Sequence, residues 1–425
     1  MDSSTTLARP LAEEVDAFFH LDPDLIADPY SLYRRIRHEA PVFRHTDKVL
    51  VSTYADVREV LTSPKVLQGL AVRGTRYRHA ASRVDEQHGI QLAEMFGFLE
   101  KRLGGTNGEY HNRLRRLAQK AFTPKMIARM QERIENIAEG LLDGIETKGD
   151  VELIEDYAYH LPLMVISEML DISTDDRDDL RHWAGNLGTF VGAEWTDTEI
   201  VERTHDSVFK LRSYLTSVFD SRRGGDTTDL LGALIAAEGD DGDHFTEDEL
   251  VAMITQFIFA GHETSTMFLG NSLVRLLGEY REQWDMLCQE PDLIPNGVEE
   301  LLRFESPTHN IDKLAGEDFE IGGVQIEQWD TINVMIASAN HDEDVTPGAD
   351  RLDITRKDVN HMTFGFGAHH CLGAALARME AQVSLRAITR RFPSMRLATE
   401  TTRWRKTHMN RGPEVLPVIL RPGLR

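Results

Sequence analysis

The feature that most limits the folds open to this chain is a proline-free run from Thr246 to Tyr280. It opens with Thr246-Glu247-Asp248-Glu249, a capping box in which the threonine hydroxyl and the glutamate carboxylate satisfy the first free backbone N–H groups. The pattern predicts a helix over 247–280, roughly 34 residues and about 50 Å at ~1.5 Å per residue. Its middle, Ile254, Phe257, Ile258, Phe259 and Ala260, is apolar, so the helix has to run through the body of the molecule. That requirement favours one large domain covering 1–425 over several small ones.

Around this helix most of the sequence reads as amphipathic helix, at 29–38 (Leu32, Ile36), 110–140 and 156–220. Alternation over Pro41–Ser52 predicts a small hairpin. Residues 69–109 carry many Arg, Gly and His residues with little periodicity, which predicts an irregular functional loop or lid. Short strands are expected at Phe319–Ile321, Val324–Ile326 and Ile332–Ile336, then a helix through Arg391 and further strands over 392–420. The fold class is mainly α with small β-sheets, an α+β arrangement.

Acidic residues number 70 against 47 basic ones, a net charge of −23, which weighs against nucleic acid or an anionic membrane surface as partner. The two cysteines, Cys288 and Cys371, form no CxxC pair, so a disulfide scaffold and a cysteine zinc site are both excluded. No stretch approaches the ~18 apolar residues of a membrane span. The N-terminus lacks a basic region followed by an apolar run. The expectation is a soluble cytoplasmic protein, monomeric by default.

The most informative run is Phe364-Gly365-Phe366-Gly367-Ala368-His369-His370-Cys371-Leu372-Gly373. Its glycines permit positive φ and let a flat ligand approach the backbone. Cys371 stands just before a predicted helix start at Ala374, where free N–H groups and the helix dipole lower a thiol pKa. The pattern suits a cysteine held as an anionic metal ligand, whereas a cysteine in an isolated glycine turn would read as a buried free thiol.

The run resembles the haem-binding signature of the cytochrome P450 family, Phe-x-x-Gly-x-His/Arg-x-Cys-x-Gly, with every fixed position filled. The resemblance implies that fold, with haem b (iron protoporphyrin IX) buried between the long helix and the 364–373 loop. Cys371 would be the proximal thiolate on iron, pushing electron density toward O–O cleavage. His369 would contact a propionate, Phe364 would pack near the sulfur, and Gly365 and Gly373 would shape the cofactor-binding loop.

Ala260-Gly261-His262-Glu263-Thr264-Ser265 matches the family's oxygen-activating stretch. Ala260 and Gly261 would border the haem, with Gly261 leaving room for dioxygen. Thr264 would offer a hydroxyl to the reduced oxygen and Glu263 would relay protons to it from solvent. Alone, Glu-Thr in a helix reads as a surface carboxylate and a back-bonded hydroxyl. Glu300-Leu301-Leu302-Arg303 fits the family's structural Glu-x-x-Arg pair, and His111 and Arg115, four apart on one helix face, fit its propionate contacts. Lys313-Leu314-Ala315 departs from the pattern, because lysine supplies the charge of the usual arginine without its fork.

The implied function is a monooxygenase acting on a small organic molecule with O2 by hydroxylation, epoxidation or oxidative coupling, in natural-product metabolism. Electrons would come from a separate ferredoxin and ferredoxin reductase, docked on basic residues Arg113, Arg116, Lys120, Lys125 and Arg378. Substrate contacts are expected from Phe259, Thr308, His309, Asn310 and Met409, and from Arg73, Arg76, Arg78 and Arg83 of the 69–109 segment. Two other readings are a peroxide-driven peroxygenase and a non-catalytic haem sensor or carrier. The intact Glu263-Thr264 pair weighs against both.

Overall fold

The computed structural model describes residues 9–421 apart from 69–74, 149–150, 173–175, 193–194, 223–228 and 240–241. The capping box is formed: the Glu249 N–H donates to the Thr246 hydroxyl at 3.3 Å, and the Thr246 N–H donates to the Glu249 carboxylate at 2.8 Å. The central helix runs over Glu247–Leu277, 31 residues, and stops short of Tyr280. There the Tyr280 N–H donates to the Arg275 carbonyl at 3.0 Å, so the ladder widens at Gly278 and unwinds. The helix packs against His160–Met169, Arg177–Gly192, Arg281–Gln289 and Ala374–Arg391, which bury most of its circumference.

The segment expected as an irregular loop over 69–109 is largely helical. Helices Thr75–Ala81 and Glu86–Leu99 are followed by a tight turn at Leu103–Gly105, and a further helix begins at Gly108. The second helix buries Leu92, Met95, Phe96 and Leu99, an i, i+3, i+4, i+7 stripe diluted in sequence by Arg-, His- and Gly-rich flanks. Arg73 and the Arg76 side chain lie outside the described residues, and Arg78 and Arg83 are exposed.

The 110–140 pattern is two helices, Gly108–Ala121 and Pro124–Glu146, because Pro124 starts a new helix that Thr123 caps. The 156–220 pattern divides into His160–Met169, Arg177–Gly192 and Thr198–Arg222. A five-stranded sheet has the order Val42–His45, Lys48–Val51, Thr331–Val334, Ile311–Ala315, Val66–Leu67. Over 392–420 only Arg396–Leu397 and Pro417–Ile419 are strands. The rest is irregular chain tied down by bridges such as Thr308 to Asn410. Among the described residues no helix is long and apolar enough to cross a membrane.

Glu300 and Arg303, on the helix Ile294–Phe304, are fully buried. They form a two-bond pair, Arg303 Nε to Glu300 Oε2 at 2.8 Å and Nη2 to Oε1 at 2.7 Å. The remaining guanidinium donors reach the carbonyls of Asn340, Ala349 and Arg351, and Glu300 Oε1 also accepts the Asp353 N–H and Arg356 Nε. Such a pair is tolerated in the interior because no donor or acceptor is left over, and removing one partner strands a buried charge. Arg303→Ala is therefore expected to cost about 3–5 kcal/mol in urea unfolding. A loss below about 1 kcal/mol would contradict this account.

His309 and His341 are buried, and burial pushes each down to about 3. Both stay neutral in the fold but take up protons on unfolding below about pH 6.5. Stability should thus fall with pH between about 6.5 and 3, each histidine adding about 1.4 kcal/mol per pH unit to the slope. Unfolding curves at pH 7, 6 and 5 should show one such increment missing in His309→Gln. An unchanged slope would refute the burial argument.

Candidate active site

The Cys371 loop is built by its glycines. Gly365 (φ +69°) and Gly367 (φ +70°) occupy left-handed backbone, and a Cβ at Gly367 would lie 3.0 Å from the Leu61 carbonyl. The loop is closed by the Cys371 N–H donating to the Phe364 carbonyl at 2.8 Å and the Gly365 N–H to the Met362 carbonyl at 2.7 Å. The Phe364 ring packs on the Arg378 guanidinium, 4.5 Å from its centroid. Gly373 caps the helix Ala374–Arg391, and its N–H bonds the sulfur. The net effect on Cys371 is opposite to the helix-dipole expectation: the residue is exposed to the cavity, yet desolvation by the surrounding walls raises its pKa, outweighing the lowering by the Gly373 N–H, Arg115 and Arg378. A metal reverses this balance, since a coordinating thiol is deprotonated outright.

Cys371 lines a cavity of about 200 Å³ that opens to solvent. Ala260 and Gly261 of the central helix line it, exposed although most of that helix is buried, and a Cβ on Gly261 would meet nothing within 4 Å. His111, Arg115, His369 and Gly373 line the same space. Among the described residues the buried His111 Nε2 has no hydrogen-bond partner, and the His111 and His369 rings lie 3.9 Å apart. Arg115 Nη2 donates to the His370 carbonyl at 2.8 Å, tying its helix to the cysteine loop. Burial, together with the charges of His111, Lys313 and Arg115, pushes His369 down to about 3.

No carboxylate lines the cavity among the described residues. A thiol on one wall, small residues on another and a rim made of the Arg115 guanidinium and the His111 and His369 imidazoles fit a flat metal macrocycle that carries carboxylate arms.

Other expected site residues are placed differently. Thr264 and Glu263 lie one turn beyond the cavity lining: the Thr264 hydroxyl donates to the Ala260 carbonyl at 2.9 Å, and Glu263 Oε1 accepts from Arg405 Nη1 at 2.9 Å. Phe259 turns toward Gly188, where an added Cβ would lie 2.9 Å from its ring. His309 and Asn310 do not line the cavity: they are buried against Tyr33, whose hydroxyl is 3.0 Å from His309 Nδ1 and 3.4 Å from Asn310 Nδ2. The Met409 carbonyl accepts both of their N–H groups, and Thr308 bridges to Asn410, so this strand start is spent on its own packing.

The expected basic docking patch is partly neutralised. Arg113 pairs with Asp243 and Glu249, Arg378 with Glu299, and Lys120 Nζ donates to the Glu238 carbonyl, while Arg116 and Lys125 are exposed. Three neighbours of the site had no sequence signal. Gln68 lines the cavity from beside the short edge strand, and Arg405 comes from the irregular C-terminal chain. Glu380 is buried beneath the central helix, pushed up to about 8 despite a hydrogen bond with Ser265.

Residues 196–413 match the sequence model of the family described as Cytochrome P450. Over 419 residues the chain is 35% identical to cytochrome P450 107B1 of Saccharopolyspora erythraea, covering 94% of this chain and 98% of that protein. It is 30% identical over 410 residues to the 6-deoxyerythronolide B hydroxylase of the same organism, covering 94% and 98%. The solved structure of PksS, the cytochrome P450 of the bacillaene polyketide synthase of Bacillus subtilis 168, superposes with a TM-score of 0.83 at 31% identity, covering 94% and 98%. By these matches the chain belongs to the cytochrome P450 family, and it is a haem-thiolate monooxygenase.

Proposed function

We propose that the whole chain, 1–425, is one haem domain that binds haem b through Cys371 and oxygenates a functionalised natural product. The hydroxylation, epoxidation or coupling would use O2 and two electrons from a ferredoxin and its reductase. The observation that carries this reading is the single cavity shared by Cys371, Ala260–Gly261 and the His111–Arg115–His369 rim. When bound there, the haem supplies the one-electron and oxygen chemistry that no side chain can.

The protein's own part is to hold, exclude and protonate. The bare Gly261 surface leaves space for a small reactant on the side away from the sulfur. Thr264 sits one turn along the same helix, and its oxygen, already donating to the Ala260 carbonyl, can accept a proton and pass one on. Glu263, about one-third exposed and anchored by Arg405, exchanges protons with solvent and hands them to Thr264. Phe257, Phe122 and Leu103 keep the cavity apolar. Gln256, whose Oε1 accepts the Gly104 N–H at 2.9 Å, adds a polar group beside them. This mixed lining suits an oxygenated carbon skeleton, as do the polyketide relatives. Arg116 and Lys125 are the exposed charges left to meet an acidic ferredoxin.

Thr264→Ala tests the proton-delivery reading against a peroxide-driven enzyme. The substrate is first chosen by its haem spectral shift, and shifts with plain hydrocarbons alone would contradict the proposed class. In the variant, product formed per electron pair should fall about tenfold or more, the lost electrons appearing as hydrogen peroxide, with peroxide-driven turnover retained. Unchanged coupling would overturn the role given to Thr264.

A further inference from the structure

The departure at Lys313 has a partner in space. Lys313 is buried, and its ammonium donates to one group among the described residues, the side-chain carbonyl of Gln68. Gln68 lines the cavity, 245 residues away in sequence. Asn107 holds its backbone on both sides: the Gln68 N–H donates to Asn107 Oδ1 at 2.7 Å, and Asn107 Nδ2 donates to the Gln68 carbonyl at 3.0 Å. The Gln68 amide NH2 makes no hydrogen bond among the described residues.

An arginine at 313 would offer two parallel N–H donors to a carboxylate in one rigid plane. A lysine offers a point charge on a flexible stem. By accepting from the ammonium, the Gln68 carbonyl fixes that charge, and the planar amide then carries its own NH2 as a second donor a few ångströms away.

We propose that Gln68 and Lys313 together form a two-residue fork that grips one carboxylate arm of the haem, with Gln68 as the specificity-determining half and Asn107 as its positioning residue. The proposal rests on the haem reading of the cavity. It explains why an ammonium is buried beside the His369 imidazole: the missing charge is the carboxylate. Burial without that carboxylate pushes Lys313 down to about 7.

The test is the rate of haem transfer from the purified holoprotein to excess apomyoglobin, followed in the Soret band, for wild type, Gln68→Ala, Lys313→Arg and the double variant. Gln68→Ala should speed haem loss about tenfold. In the Lys313→Arg background the same change should matter less than twofold, since the guanidinium carries both donors. With protohaem dimethyl ester in place of haem, Gln68→Ala should have no effect. Equal acceleration in both backgrounds, or with the ester, would assign Gln68 a merely structural role and overturn the proposal, as would no acceleration at all. The ferrous-CO band reports the sulfur separately: a thiolate band retained in Gln68→Ala keeps the haem-thiolate reading intact whichever way the transfer rates fall.

Discussion

The buried Glu300–Arg303 pair is the interaction on which the cysteine loop depends. Arg303 Nη1 holds the Asn340 carbonyl at 3.0 Å, and the Asn340 side chain in turn accepts the Met362 N–H at 2.7 Å and donates to the Thr363 hydroxyl at 3.0 Å. Thr363 closes the circuit by donating to the Leu302 carbonyl at 2.6 Å, back on the helix of the pair. The next residue, Phe364, accepts the Cys371 N–H. An ion pair in low dielectric thus fixes the start of the loop, and the loop fixes the sulfur. A buried pair is poor evidence for net stability but good evidence for a geometry that must not vary.

The opposite economy holds inside the cavity. His111, Arg115 and His369 line it and Lys313 lies behind Gln68, and in the protein alone burial lowers the pKa of each. The Cys371 thiol is likewise held away from its anionic form by desolvation. Both strains have one remedy, a guest that brings a metal to the sulfur and carboxylates to the rim. Folding and cofactor binding are thereby coupled, because the guest relieves penalties that the folded chain alone has to bear.

Much of this was legible in the sequence where local chemistry decides the outcome. The capping box, the proline-free helix and the glycine-flanked cysteine each carry their own geometry, and the structure places Cys371, Ala260, Gly261, His111, Arg115 and His369 around one cavity. What escaped depends on distant packing. The stripe Leu92–Met95–Phe96–Leu99 only becomes a helix face once the helix Thr198–Arg222 lies against it. His309 and Asn310 looked like polar pocket walls, yet Tyr33, some 276 residues away in sequence, takes them into the core. Gln68 and Arg405 carry no motif, because their roles come from the residues they meet. The helix dipole at Ala374 was correctly placed, but burial outweighs it.

The measurement that goes most directly to the central claim is the ferrous-CO difference spectrum of the purified protein, taken for wild type and Cys371→Ser. The account predicts a Soret band at the long-wavelength thiolate position in the wild type, lost in the variant. A band at the histidine-ligated position in freshly prepared wild-type protein, or a thiolate band that survives Cys371→Ser, would contradict it.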